Sequence, residues 1–294
     1  MSFKKSFKKS FHPYAMTTIF FWSLAYVNTR LALKYFSPFA IGFLRYAVAA
    51  LAMLIVVLVQ KIKPPKAKDM IWFALSGATG FFTFATMLNL GSRTVNSSTS
   101  SVIVATTPIM TAILARIFYK EKLTKMQYCA IAVSFIGVLV LTVLSGGLSV
   151  NKGILYLIIA AFALSLYNIF QKRLTRTYSS LCSTAYSIFW GALFMCVFMT
   201  NALNELPEMP FNQIWNILIL GVLSSAVAYC TWSKAFSLAE HTSSVSNYMF
   251  VTPFVTSLIA FIVAGESVTS ATIVGGAFIV AGLVIFNFGN KIIK

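Results

Sequence analysis

Acidic residues are the scarcest feature of this 294-residue chain: six Asp and Glu stand against 23 Lys and Arg, a formal net charge of +17. All six, Asp69, Glu121, Glu205, Glu208, Glu240 and Glu266, lie at the ends of apolar runs or between them. None therefore occupies the depth at which a proton-coupled carrier keeps a carboxylate. Histidine is nearly absent, and His12 and His241 both sit at run ends, where a solvated side chain is expected in place of a proton relay. The four cysteines, Cys129, Cys182, Cys196 and Cys230, form no C-x-x-C pair and read as small packing residues. No nucleophile, general base and orienting group can be assembled at one depth, and no metal-ligand cluster appears. Neither an enzyme nor a cofactor is expected.

What the chain has is hydrophobic length. At 59% hydrophobic and 10% charged, with a mean hydropathy of +0.83, it has too little polar surface to cover a soluble globule. The expected fold class is an all-α membrane protein. A bilayer core about 30 Å thick needs about 20 apolar residues per helical span. Ten spans can be placed, at 14–34, 38–60, 69–91, 97–118, 126–145, 153–171, 181–201, 212–234, 243–264 and 270–289. The first follows a basic head but no A-x-A-like cleavage site, so it reads as an uncleaved span. Eighteen of the 23 basic residues fall on the N-terminal side of these spans, in clusters such as Lys61, Lys63, Lys66 and Lys68. Four, Arg30, Lys34, Arg93 and Lys152, fall on the other side, and Arg45 lies within a span. By the positive-inside rule both termini are cytoplasmic. The charge is thus a topology signal; the expected partners are the lipid bilayer and a small-molecule substrate, not nucleic acid. Few acidic residues with abundant Lys fit a bacterial inner (cell) membrane, and both a monomer and a homodimer are compatible with the sequence.

The chain repeats itself. TPIMTAILARIFYKEKLT at 107–124 and TPFVTSLIAFIVAGESVT at 252–269 align at a displacement of 145 residues with seven identities in eighteen, against roughly one or two expected from shared composition. The same displacement sets Gly137 over Gly282. Two units follow, 13–146 and 152–290, flanked by a basic N-terminal segment 1–12 and a C-terminal segment 291–294. Five spans per unit is an odd number, so the second unit crosses the membrane in the opposite sense. Such inverted halves can exchange conformations and give alternating access.

Candidate solute contacts are the polar and aromatic groups inside spans. Trp22 and Tyr26 share a helical face, and Asn28 follows; Phe162 and Asn168 repeat the spacing of Trp22 and Asn28. Amides in hydrocarbon must find partners, so Asn28 and Asn168 serve either as interhelical glue or as solute contacts. Arg45, about 10 Å deep by helical rise, either reaches the interface and backbone carbonyls or presents a fixed charge to an anionic or zwitterionic solute. Thr79, Thr83 and Thr86 form one stripe, and Ser225, Tyr229 and Trp232 a matching one, each a packing seam or a cavity lining. Polar runs 96–101 and 241–247 open spans 4 and 9, with Asn247 and Tyr248 as further candidates. Pro108 and Pro253 interrupt those spans near the midplane, freeing the carbonyls of Val104 and Met249, beside the candidate Thr107. Glu121 and Glu266 are expected to be structural, bonding the start of the following helix.

The repeated stretches, each with a mid-helix Pro, a Glu thirteen residues later and a closing small-residue helix with a late Gly, resemble the second part of an EamA domain of the drug/metabolite transporter superfamily. The W-S-L-A-Y of span 1 and the pair Leu44 and Arg45 are similar to that pattern too. The resemblance implies transport of amino acids, other metabolites, nucleotide sugars or drugs. Four-helix multidrug relatives depend on a Glu in their first helix, where this chain has Trp22, Tyr26 and Asn28; a proton-driven exporter of organic cations is disfavoured. The leading expectation is uniport or exchange of a small neutral or zwitterionic metabolite, an amino acid above all. One alternative is an anionic nucleotide, phosphate or S-adenosyl solute held by Arg45 and Arg30; another is a scaffold with no solute. The topology predicts that cysteines introduced at Ser149 and Asn204 label from outside the cell. Labelling of both from the cytoplasm would overturn the inversion.

Overall fold

Helix starts follow from local chemistry. Pro38, whose fixed φ suits the first turn, stands after Ser37, whose hydroxyl accepts from Ala40 N. Asn96 and Ser179 cap their helices in the same way, accepting from Thr99 N and Cys182 N. The computed structural model describes residues 10–120, 123–146 and 152–292, and these contain no strand. The helical runs are α1 His12–Ala32, α2 Pro38–Val59, α3 Ala67–Ser92, α4 Ser97–Tyr119, α5 Lys125–Gly146, α6 Lys152–Leu174, α7 Ser180–Glu208, α8 Gln213–Leu238, α9 Ser244–Ala264 and α10 Ser270–Ile292.

Seven of these, α2, α3, α4 and α6 to α9, are long and apolar enough to cross a membrane, where the sequence reading expects ten spans. In α1 the shortfall comes from Thr18, Ser23, Asn28 and Thr29, which are polar yet buried against other helices. α5 and α10 are 22 and 23 residues long, and their described side chains are apolar over Lys125–Val140 and Ser270–Phe286. Around the bundle the outer surface is apolar, with Leu51, Ile55 and Leu58 of α2, Phe135 of α5 and Phe261 of α9 exposed. Hydroxyls such as Ser98, Ser100 and Ser101 are buried instead. An apolar outer surface with the polar side chains turned inward is the arrangement a bilayer imposes.

The packing is symmetric under exchange of halves. α1 lies against α8 and α9, and α6 against α3 and α4; α2 packs on α8, and α7 on α3. The most extensive contact joins α5 to α10. A Cβ built on Gly137 would lie 2.8 Å from Gly275 O and 2.8 Å from Ile279 Cγ1; one on Gly282 would lie 2.0 Å from Ser134 Oγ and 2.8 Å from Ala130 O. Residue 275 is 130 displaced by 145, and 279 is 134 so displaced. Each glycine therefore meets the same two positions of the other copy, and residue numbers rise along α5 as they fall along α10. The two helices run antiparallel.

Both halves carry the same irregularities. α4 breaks between Val104 and Thr107, ahead of Pro108, and α9 runs as a tighter 3-10 turn over Asn247–Val251, ahead of Pro253. α3 and α8 widen to π-helical turns over Ala78–Thr83 and Ile219–Val227. α4 and α9 end in left-handed residues 145 apart, Lys120 at φ 55° and Gly265 at φ 63°. Basic residues near the ends of α1 and α6 cap other helices: Arg30 bonds Ser92 O and, at 2.9 Å, Arg93 O at the end of α3, while Lys172 bonds Ala239 O and, at 3.3 Å, Phe236 O at the end of α8.

Glu266 does not bond the helix that follows it. Its carboxylate accepts from Ser97 N at 2.9 Å and Ser97 Oγ at 3.0 Å, at the start of α4 in the other half. Those N–H groups are unpaired by helix geometry and the positive end of the α4 dipole favours an anion. Glu205 does the same for α2, accepting from Ser37 N at 2.7 Å. Glu121 lies outside the described residues. The α5–α10 contact predicts that Gly137→Leu and Gly282→Leu each destabilise by about 1–3 kcal/mol, the usual cost of overpacking. Gly276→Ala, whose new methyl would meet only Val102 at 3.6 Å, is expected to be neutral. Melting temperatures of the purified variants check this; a neutral Gly282→Leu would disprove the contact.

Candidate functional site

Six rings from both halves meet at the centre of the bundle. Tyr229 of α8 lies 5.0 Å from Trp22 of α1, 4.7 Å from Phe81 of α3 and 5.3 Å from Tyr167 of α6. Trp22 is also 4.9 Å from Trp232, and Phe81 5.3 Å from Tyr46 of α2. Gly80 makes this approach possible, because a Cβ there would fall 2.1 Å from the Tyr167 ring. The Tyr229 hydroxyl donates to Gly80 O at 3.3 Å, inside the α3 π-turn. Trp232 Nε1 donates to Asn168 Oδ1 at 3.0 Å, and Asn168 Nδ2 to Thr111 Oγ1 at 3.2 Å.

Arg45 enters this cluster from α2. The helix buries a stripe at Pro38, Ile41, Gly42, Arg45, Tyr46, Ala49 and Met53, the spacing of a face turned inward. Arg45 is 1% exposed, so it does not reach the interface. Its Nε donates to Ser225 Oγ at 2.6 Å and its Nη2 to Ser224 O at 3.4 Å. Ser225 accepts there while its own proton goes to Leu220 O at 2.8 Å, five residues back in the α8 π-turn. Nη1 has no hydrogen-bond partner, and among the described residues no carboxylate bonds the guanidinium. A buried charge left this way costs several kcal/mol. Trp22 Nε1 and Thr86 Oγ1 are buried without partners as well. The Tyr46 hydroxyl lies beside Tyr229 and Ser225 without reaching hydrogen-bonding geometry.

Arg45, Trp22 and Tyr26, with Ala25, Phe84, Leu88 and Leu164, enclose about 10 Å³ of free space, close to the minimum for one water. The centre is closed. Its counterpart in the second half has different chemistry. Gly221 of α8 packs on Val48 and Arg45 O, as Gly77 of α3 packs on Trp190 and Ser187 O; Ser187 thus occupies the place of Arg45. Around it, Gln171 Nε2 donates to Ser76 Oγ at 3.1 Å and Ser187 Oγ at 3.3 Å, and Ser233 Oγ donates to Gln171 Oε1 at 3.2 Å. Thr184 Oγ1 is 2.7 Å from Ser233 Oγ. All five side chains are fully buried and every one is bonded.

Trp22, Tyr26, Arg45, Asn168, Tyr229 and Trp232 thus converge, and Thr86 is buried on α3 with its hydroxyl unpartnered. Other sequence candidates do not join them. Asn28 Nδ2 bonds its own helix at Leu24 O, 2.9 Å. Thr83 is half-buried at the end of the α3 π-turn. Thr107 Oγ1 donates to Val104 O at 2.6 Å, the carbonyl that Pro108 leaves without an N–H, and lies 3.4 Å from Ala161 O of α6; the hydroxyl repairs the break and touches the other half. Tyr248, at the far end, meets His12 Nδ1 and Phe11, while Asn247 opens the 3-10 turn of α9. Arg30 is committed to the end of α3. Sequence reasoning missed Tyr46, Phe81 and Tyr167; Tyr46 and Tyr167 adjoin Arg45 and Asn168, which was the available signal.

Comparisons with known proteins agree with this architecture. The model of the EamA-like transporter family matches residues 10–143 and 151–288. An uncharacterized transporter YdfC of Bacillus subtilis is 29% identical over 268 residues, covering 89% of this chain and 86% of that one. A "probable terminal-alkyne amino-acid exporter" of Streptantibioticus cattleyicolor is 27% identical, covering 92% and 91%. A "probable amino-acid metabolite efflux pump" of Salmonella typhimurium is 24% identical, covering 95% of each. A solved crystal structure superposes with a TM-score of 0.66 at 15% identity over 95% of this chain and 97% of that one, a likeness of fold. With its doubled domain, its apolar exterior and seven apolar helices long enough to cross a membrane, the chain is a multi-pass membrane protein and belongs to the EamA-like transporter family.

Proposed function

We propose that this transporter exports a small amino acid or a related zwitterion across the cell membrane by alternating access, using ten spans arranged as two inverted five-helix halves. The observation that carries the solute class is the Arg45 guanidinium, buried with Nη1 unpartnered among aromatic rings. A carboxylate would supply the missing acceptor, and a charge-assisted bond of this kind is among the stronger ones. The faces of Trp22, Tyr26 and Tyr229 would take the ammonium or the side chain. The antiparallel run of α5 and α10 supports inversion, and cytoplasmic termini follow from the distribution of basic residues. Export as the direction, and amino acids as the solute, rest on what the Streptantibioticus and Salmonella proteins are named for.

The anionic alternative has less support. Arg45 is the one cationic side chain in the central cluster, because Arg30 and Lys172 both serve helix ends. One charge balances one carboxylate and leaves a nucleotide or phosphate ester with charge to spare. A scaffold has no use for an unsatisfied buried guanidinium, which nothing else in the bundle requires.

Thermal melting of the purified protein against amino acids, nucleotides, nucleotide sugars and organic cations tests the proposal. At about 100 times its dissociation constant a solute stabilises by about 2.7 kcal/mol. The shift is expected for amino acids and is expected to vanish in Arg45→Gln, whose amide keeps a donor toward Ser225. An unchanged shift in that variant, or a shift confined to nucleotides, would sink the reading.

A further inference from the structure

Two mouths of similar size lie at opposite ends of the helices, and their linings differ in charge. One, about 250 Å³, is formed by Thr94, Asn96, Thr99, Ile154, Thr269, Ser270 and neighbouring apolar groups, all uncharged. The other, about 230 Å³, lies where α3 begins and α6 turns into α7, and contains Asp69, Trp72, Arg173, Arg176, Thr177 and Tyr178. Within it the arginines are held by rings. Arg173 Cζ stands 4.0 Å above the Trp72 ring, and Arg176 Cζ 5.0 Å from the centroid of Tyr119. Stacking covers a guanidinium face and leaves the N–H edge available. The nearby carboxylate is already engaged, since Asp69 Oδ2 accepts from the Tyr178 hydroxyl at 2.5 Å. That bond also raises the Tyr178 pKa above its ordinary value, so the phenol keeps its proton and Asp69 keeps its partner. No bond from either guanidinium to an acid occurs among the described residues.

The groove adjoins the lipid-facing surface. Ile71 and Leu75, on either side of Trp72 along α3, are 58% and 36% exposed, and Ile117 and Phe118, just before Tyr119, are 66% and 55% exposed. Tryptophan and arginine side by side at the edge of an apolar belt mark the depth of lipid headgroups. We infer that this groove binds the phosphodiester of an anionic phospholipid, with Arg173 and Arg176 as the donors and Trp72 at the glycerol level. Planar, ring-stacked guanidinium groups suit the phosphate oxygens, and the acyl chains would follow the apolar faces of α3 and α4. Arg45 and the central rings take no part, so this site and the proposed solute site stand or fall separately.

The test is titration of the purified full-length protein with short-chain phosphatidylglycerol below its micelle concentration, beside phosphatidylcholine of the same chain length and inorganic phosphate. Saturable binding is expected for phosphatidylglycerol, weakening with salt, and much weaker for the other two. Arg173→Gln with Arg176→Gln should lower affinity about 30-fold, at about a factor of five per basic residue near a membrane surface. Thr94→Ala with Thr99→Ala, at the uncharged mouth, should leave it unchanged. Equal binding of the two lipids, or a glutamine pair that binds as wild type, would overturn the site. Inorganic phosphate binding as tightly as the lipid would reassign the groove to a soluble anion and overturn the lipid. Should the glutamine pair fail to fold, salt-independent binding by the wild type is the outcome that refutes it.

Discussion

The close approach of α5 and α10 is the constraint on which the two-half architecture rests. In a bilayer helices gain little from hiding apolar surface from one another, so backbone proximity and van der Waals contact must hold them together. Gly137 and Gly282 permit that contact at two points related by the repeat, each lying over the other copy's positions 130/275 and 134/279. A contact of this kind requires the two helices to run in opposite directions. These helices close the two units, and the packing before them is matched as well, α1 on α8 and α6 on α3, as the proposed inversion requires.

On that symmetric backbone the side chains are unequal, and the inequality locates the chemistry. The π-turns of α3 and α8 and the interruptions before Pro108 and Pro253 occur in both halves. At equivalent places on α2 and α7, however, one half has Arg45 and the other Ser187. Ser187 belongs to a neutral network in which each member is bonded, whereas Arg45 retains a free donor. Buried polar groups are nearly always satisfied, so an exception needs a reason. An acceptor on the proposed solute would supply one for Arg45, and the unpartnered Trp22 Nε1 lies in the same cluster.

Much of the fold was legible because it depends on one-dimensional features: apolar runs, the 145-residue repeat, and prolines at matching depth. Arg45 stood out as a charge within an apolar run. Its partner did not, because the π-turn of α8 sets where Ser225 faces and lets its hydroxyl bond Leu220 O as well as Arg45 Nε, and no residue propensity encodes that turn. Asn28 is obscure for a related reason. Short polar side chains can bond their own helix's carbonyls, as Asn28 does at Leu24 O, and the sequence does not distinguish that from a bond across the bundle such as the one Thr107 makes to Ala161 O. Glu266 bonds Ser97, 169 residues away, a pairing that only the juxtaposed halves create.

The same inequality bears on how the centre opens. With about 10 Å³ of free space, the closed bundle admits no amino acid, so α2 and α8 or α3, α6 and α7 must part. Parting the second group breaks the bonds of Gln171 to Ser76 and Ser187, a network whose bonded members are all neutral. Neutral bonds of this sort hold at about 0.5–1.5 kcal/mol each, and nothing there offsets their loss. Parting α2 from α8 breaks the contacts of Arg45 with Ser225 and Ser224, which a carboxylate can replace with stronger, charge-assisted ones. A ligand shifts an equilibrium only by its difference in affinity between states. On the proposed function, a solute bound at Arg45 would therefore favour separation at α2 and α8 directly, while the neutral network would set how firmly the other side stays shut.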